Sequence, residues 1–140
     1  MQKNDKIIID TNLWVSFLLT KKFSFLDSLL TKGDVKLIFC NELLSEFLNV
    51  VRRPKLQKYF TEDQLRILLG MMHKYADFVE VRSNVDVCRD KKDNFLLSLA
   101  EESSADYLIT GDDDLLVLKK FKKTKIITMA EYKRNRPSHL

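Results

Sequence analysis

Five short apolar runs, each followed by a stretch of helical spacing, constrain this chain more than anything else in it. The runs are Lys6–Asp10, Lys36–Phe39, Phe78–Arg82, Tyr107–Thr110 and Lys125–Thr128. They are continuous rather than alternating, which is the pattern of strands buried on both faces of a parallel sheet. Helical spacing is expected over Leu13–Leu19, Phe23–Lys32 (with Gly33 as a stop), Asn41–Arg52, Glu62–Tyr75, Asp93–Ser103 and Met129–Asn135. Pro54 closes the third of these, and Thr61-Glu62-Asp63-Gln64 is a capping-box pattern at the start of the fourth. Strands that alternate with helices predict a three-layer α/β/α domain around a short parallel sheet. At 140 residues, without repeats or linker-like stretches, one domain over residues 1–140 is expected.

This order of elements gives the acidic residues a position. Asp10 ends the first run, Asp112 follows the fourth, and Asp93 opens the helix after the third. Ligands of open parallel sheets bind at the carboxyl edge, and all three acids fall there. Glu46 lies within a helix and needs its phase. At about 100° per residue it stands about 115° from the direction of the apolar face, whereas Glu42 stands about 155° away. Glu46 therefore borders the buried face and Glu42 points to solvent. Carboxylates that converge repel one another and lose hydration, so folding alone gives no reason to gather them. A divalent hard cation with oxygen ligands does.

Composition excludes several classes. No apolar run approaches the roughly 20 residues of a membrane span, and no signal-peptide pattern follows Met1, so a cytoplasmic protein is expected. Cys40 and Cys88 are too few and too scattered for a disulfide framework or a zinc site, and His73 and His139 have no paired spacing. Gly33, Gly70 and Gly111 are far apart and supply neither a Walker loop nor a dinucleotide fingerprint; a Gly-x-Ser-x-Gly elbow is also missing. The net charge of +4 permits a nucleic-acid partner without demanding one.

Four segments together resemble the PIN-domain family, and more narrowly its branch of toxins from toxin–antitoxin systems. They are Ile9-Asp10-Thr11-Asn12; Leu44-Ser45-Glu46-Phe47 with Arg53-Pro54-Lys55; Asp90-Lys91-Lys92-Asp93-Asn94-Phe95-Leu96; and the stretch from Ala105 to Leu116 that contains Thr110-Gly111-Asp112-Asp113-Asp114. The resemblance implies a metal-dependent endoribonuclease acting on single-stranded RNA. Its acidic set carries over to Asp10, Glu46, Asp93 and Asp112, with Asp114 at a further acidic position. Asn12, Thr110 and Asp90 match supporting polar positions. It also implies one or two Mg²⁺ or Mn²⁺ ions that activate water and neutralise phosphate charge, a small antitoxin partner, and a homodimer. The third segment often carries a proline before its second aspartate in this family; Lys91 stands there, a departure expected to affect loop rigidity more than chemistry.

Simpler readings stand beside these. Asp10 could cap a strand end, Asp93-Asn94 would serve as a helix N-cap, Glu46 could be a helix-flank charge, and part of Asp112-Asp113-Asp114 could be a solvated turn. Trp14 and Phe17 read as core. The run Lys119–Lys125 enters the last strand at the amino edge, opposite the acids, and reads as a solvated loop. Lys91, Lys92, Arg134 and Arg136 lie on elements at the carboxyl edge and are the better candidates for RNA phosphates. Two rival functions remain. One is a silent RNA- or protein-binding module on the same fold. The other is a phosphatase or receiver domain with strand-end aspartates, against which stand Asn12 in place of a second acid and the lack of paired acids beside Asp10.

Overall fold

The triple isoleucine sets the centre of the molecule. Ile7, Ile8 and Ile9 are β-branched, favour extended backbone and have no polar side-chain atom to hydrate. In the computed structural model, which describes residues 5–20, 35–82 and 84–135, they form the end of β1 (Asp5–Ile9). None of the three exceeds 1% exposure, so both faces of the strand are covered.

The chain continues through α1 (Thr11–Thr20), β2 (Val35–Phe39), α2 (Asn41–Val51), a 3-10 turn (Gln57–Tyr59), α3 (Glu62–Tyr75) and β3 (Ala76–Phe78). It then forms α4 (Lys91–Ser103), β4 (Tyr107–Ile109), α5 (Asp113–Leu116), β5 (Lys120–Phe121), β6 (Thr124–Ile127) and α6 (Met129–Asn135). The strands make one sheet in the order β3-β2-β1-β4-β6-β5. All neighbours are parallel except β5, which runs antiparallel to β6. Helices flank this mostly parallel sheet, as expected. The helix expected over Phe23–Lys32 and its stop at Gly33 lie outside the described residues.

Register places the strand ends. Ile9 pairs with Ile109, and Ile109 with Ile127. The ladder runs one step further, with Asp10 N–H donating to Ile109 O at 3.0 Å and Thr110 N–H to Ile127 O at 3.0 Å. Asp10 and Thr110 therefore emerge side by side from the middle of the sheet.

The helices follow their apolar spacing. On α2 the buried residues are Leu43, Phe47 and Val51, while Glu46 is half-buried and Glu42 exposed. At α3 the capping box forms, with Gln64 N–H donating to Thr61 Oγ1 and Thr61 N–H to Gln64 Oε1. Trp14 is buried and meets Phe39 edge-on, with ring centroids 6.3 Å apart. The side chain of Phe17 lies outside the described residues.

Three expectations need correction. The third strand is Ala76–Phe78, not Phe78–Arg82. Asp77 breaks the apolar pattern there, but this is the sheet's edge strand and the carboxylate reaches Lys36 at 3.2 Å. Its partner β2 ends at Phe39, so beyond Val79, which donates to Phe39 O, nothing remains to pair with. The basic run is also not a plain loop, because Lys120–Phe121 folds back on Thr124–Ile127 as an edge hairpin. Lys119 and Lys122 take left-handed φ values of 61° and 54° to make the turns. Finally, α4 starts at Lys91 with Asp90 as its N-cap, two residues before Asp93.

Candidate active site

In this strand order the chain leaves β1 toward β2 on one side, while β4 continues toward β6 on the other. The crevice between the carboxyl ends of β1 and β4 is thus the sheet's topological switch point, where open α/β sheets bind ligands. Asp10 and Thr110 stand in it. Thr110 Oγ1 donates to Asp10 Oδ2 at 2.8 Å and accepts from Asp112 N–H at 3.0 Å. Asp112 caps α5, its Oδ1 accepting from Asp114 N–H at 2.8 Å. One threonine hydroxyl therefore sets the spacing between two strand-end aspartates.

Asp93 comes in from α4. It is the third residue of the helix, and side chains in a first turn tilt back toward the N-terminus, which aims its carboxyl into the crevice. It is 4% exposed, and its Oδ2 is a buried oxygen with no hydrogen-bond partner. Burial pushes its pKa up to about 7, helped by a hydrogen bond with Asp112 and by the charges of Asp112, Asp90 and Asp10. Glu46 leans in from α2 and meets the Lys92 ammonium at 3.3 Å.

Asp10, Glu46, Asp93 and Asp112 all line one cavity of about 140 Å³, with Lys92 and Asn12 at its wall. A tighter grouping overlaps it: one carboxylate oxygen from each of Asp93, Asp112 and Asp114 lies within 4.8 Å of the others. Asp114 is not on the cavity wall, and both its oxygens are 3.2 Å from Arg89 Nη2. The two groupings share Asp93 and Asp112. These two are accordingly the central donors, with Asp10 and Glu46 on one side and Asp114 on the other.

The donor set fits a divalent cation on three grounds. Every donor is a carboxylate oxygen, which suits Mg²⁺ or Mn²⁺ rather than zinc. An unpartnered buried oxygen on Asp93 is costly unless something positive meets it. The raised affinity of Asp93 for a proton, caused first by burial and then by the neighbouring carboxylates, marks a carboxylate whose charge the protein alone does not stabilise.

Comparison with known proteins agrees with this geometry. The family profile described as PIN domain matches residues 6–114, which include every one of these carboxylates. The chain belongs to the PIN-domain family. It is also 31% identical to an uncharacterized protein of Methanocaldococcus jannaschii over 118 residues, covering 81% of this chain and 75% of that protein. PIN domains are typically metal-dependent nucleases, and the acidic cluster is compatible with that activity.

Not every residue singled out in the sequence comes to the PIN-domain cavity. Asp90 lines it while capping α4, its Oδ1 accepting from Lys92 N–H at 2.9 Å. Asn12 N–H donates to Asp10 Oδ1 at 3.2 Å, so Asp10 also caps α1. Lys91 is exposed on the first turn of α4, in the first helical position, so the proline frequent there in the family would start a helix rather than stiffen a loop. Arg134 is exposed on α6 and does not line this cavity, and Arg136 lies outside the described residues. Asp113 is exposed, as a turn acid would be.

Two contributors escaped the sequence reading. Asn94 is not a cap but a buried clasp: its Oδ1 accepts from Val87 N–H and Cys88 N–H, and its Nδ2 donates to Cys88 O. With Ser98 Oγ accepting from Val85 N–H, it pins the segment that delivers Arg89 and Asp90. Arg89 is the second, and its position beside the Asp90 motif was the available signal. Neither cysteine competes for a catalytic role, since burial raises the Cys40 thiol to about 11 and raises that of Cys88 as well. Among the described residues no helix is long and apolar enough to cross a membrane.

Proposed function

We propose that this PIN domain is an endoribonuclease that cleaves single-stranded RNA with Mg²⁺ or Mn²⁺, and that it serves in the cytoplasm as the toxin of a type II toxin–antitoxin pair. The observation that carries the nuclease reading is Asp93: a buried carboxyl with an unpartnered oxygen, against Asp112 and facing Asp10 and Glu46 across one cavity. The toxin role, the small antitoxin partner and a homodimeric state rest on the sequence resemblance.

Asp93, Asp112, Asp10 and Glu46 would hold the ion, with Asp114 as a further donor. Bound there, a divalent cation supplies Lewis acidity toward the phosphodiester and makes water a better nucleophile. The protein's own groups do the rest. Thr110 orients Asp10 and fixes the backbone of Asp112. Lys92 holds Glu46 and presents an ammonium at the cavity wall, where it can take a phosphate oxygen of the substrate. Among the described residues no histidine lines the cavity, and proton transfer falls to the carboxylates and water. Because Asp93 keeps its proton up to about pH 7, cation binding displaces a proton and should tighten as pH rises through that value.

The test is cleavage of labelled single-stranded RNA with Mg²⁺ or Mn²⁺, against excess chelator, by wild type, Glu46→Gln and Glu42→Gln. Cleavage should require metal, vanish in Glu46→Gln and survive in Glu42→Gln. Undiminished cleavage in chelator would remove the metal mechanism. Growth arrest on induction, relieved by a small protein encoded beside this one, is the separate test of the toxin role.

A further inference from the structure

A larger hollow of about 630 Å³ opens along α2 beside the acidic cavity. Asn41, Ser45 and Asn49 line it at every fourth position and form one stripe up α2, and Arg53, just past the end of the helix, lines it as well. All four are exposed, and the buried face of α2 is formed by other residues. Glu46 and Lys92 line both hollows, so the groove runs alongside the acidic cavity and adjoins it at Glu46. Arg53 stands at the groove's far end, beyond the C-terminus of α2.

The two neighbouring arginines differ. Arg52 is tied to Glu62 at 3.7 Å, and its carbonyl accepts from Gln57. Arg53 forms no ion pair among the described residues. Charge is not uniform along the groove, since Glu42 and Glu46 line it too. Glu46 is neutralised by Lys92, and Glu42, hydrogen-bonded with the Cys40 thiol, lies on the first turn of α2. The positive end is therefore the Arg53 end.

We propose that this groove carries the RNA strand past the acidic cavity, with Arg53 gripping a backbone phosphate at one end and the Asn41-Ser45-Asn49 stripe hydrogen-bonding the nucleotides along it. The inference rests on the ribonuclease reading above. A guanidinium fork matches phosphate geometry. Carboxamides and hydroxyls both donate and accept, which suits sugar hydroxyls and the open edges of unpaired bases. Among the described residues no aromatic ring lines the groove, so binding works through the backbone and polar edges rather than by stacking.

The experiment titrates a short labelled single-stranded RNA in chelator, by fluorescence anisotropy over a salt series. Arg53→Ala should raise Kd several-fold and lower the slope of log K against log salt by about 0.7, the loss of one phosphate contact. Arg52→Ala should leave the slope unchanged. Asn49→Trp, which fills the groove without altering charge, should raise Kd at an unchanged slope. Both Arg53 and Asn49 are exposed, so melting temperatures report whether either variant has disturbed the fold. An unchanged Kd in Arg53→Ala and Asn49→Trp, or an equal slope change in Arg52→Ala, overturns the groove assignment, and a groove built for a polypeptide would give that result. If wild type still cuts RNA in metal, the ribonuclease reading survives this failure. If wild type neither binds nor cuts RNA, that reading falls first.

Discussion

The two edges of the sheet treat charge in opposite ways. At the amino edge Asp106, just ahead of β4, accepts from Lys6 N–H at 2.8 Å and meets Lys123 at 3.8 Å. Nearby Lys122 reaches Glu101 at 2.7 Å. These charges are paired, and the pairing ties the edge hairpin to α4 and to β1. At the carboxyl edge Asp93 is buried among like charges, has an unpartnered oxygen and keeps its proton to about pH 7. One edge spends its charge on the fold. The other holds a conflict that the fold does not resolve, and such a conflict marks a site for a ligand of opposite charge.

The largest expected effect separates the edges by activity. Asp93→Asn and Asp112→Asn should each lower RNA cleavage by at least about 10²-fold, the scale of losing one electrostatic contributor to a transition state. Asp106→Asn should leave cleavage within a few-fold of wild type. Initial rates at saturating Mg²⁺ decide this, and equal losses in all three variants would erase the distinction.

Stability should show the reverse ranking. The folded pKa of Asp93 lies above its unfolded value, so the folded state binds the proton more tightly. Metal-free protein should therefore lose stability as pH rises from about 4 to about 7, at no more than about 1.4 kcal/mol per pH unit from this group, and level off above. Asp93→Asn should flatten that slope and melt higher than wild type in chelator at neutral pH, with added Mg²⁺ reversing the order. Asp106→Ala should cost about 1 kcal/mol at any metal level, since Lys6 N–H loses its acceptor. Chemical denaturation over a pH series, with and without Mg²⁺, reads both; a lower-melting Asp93→Asn in chelator would mean that the carboxyl has a stabilising partner after all.

RNA binding should also distinguish the edges, though less strongly. Neutralising Lys91 and Lys92 together should reduce the salt slope of binding more than neutralising Lys119, Lys120, Lys122 and Lys123 together, despite the smaller charge change. The opposite ranking would place the RNA along the edge hairpin.

The smallest effect sharpens the local geometry of the carboxyl edge. Asp90 is extended, with φ −89° and ψ 129°, as a residue before proline must be, and Lys91 occupies the first helical position. Lys91→Pro should stabilise the protein by roughly 0.4–1 kcal/mol through the unfolded state. A lower melting temperature would show that the Lys91 side chain or N–H does more than start the helix.

The sequence determined the sheet's centre and the side on which the acids fall. Continuous apolar runs such as Ile7-Ile8-Ile9 have one low-energy home, and strand direction then carries Asp10 and Asp112 to one edge. Helical phase also put Glu46 at the border of α2, because a 3.6-residue period is a local property. What tertiary structure alone decided was the use of residues whose chemistry permits several roles. Asn94 could cap or clasp, Asp77 could end a strand or pair with Lys36 on its edge, and Arg52 and Arg53 are equivalent until Glu62 takes one of them. Those choices depend on which partner lies within about 3 Å across the fold, and hydrogen bonds and ion pairs fall off over such distances. Strand order itself, and with it the crevice between β1 and β4, depends on contacts far apart in the chain, which no local pattern encodes.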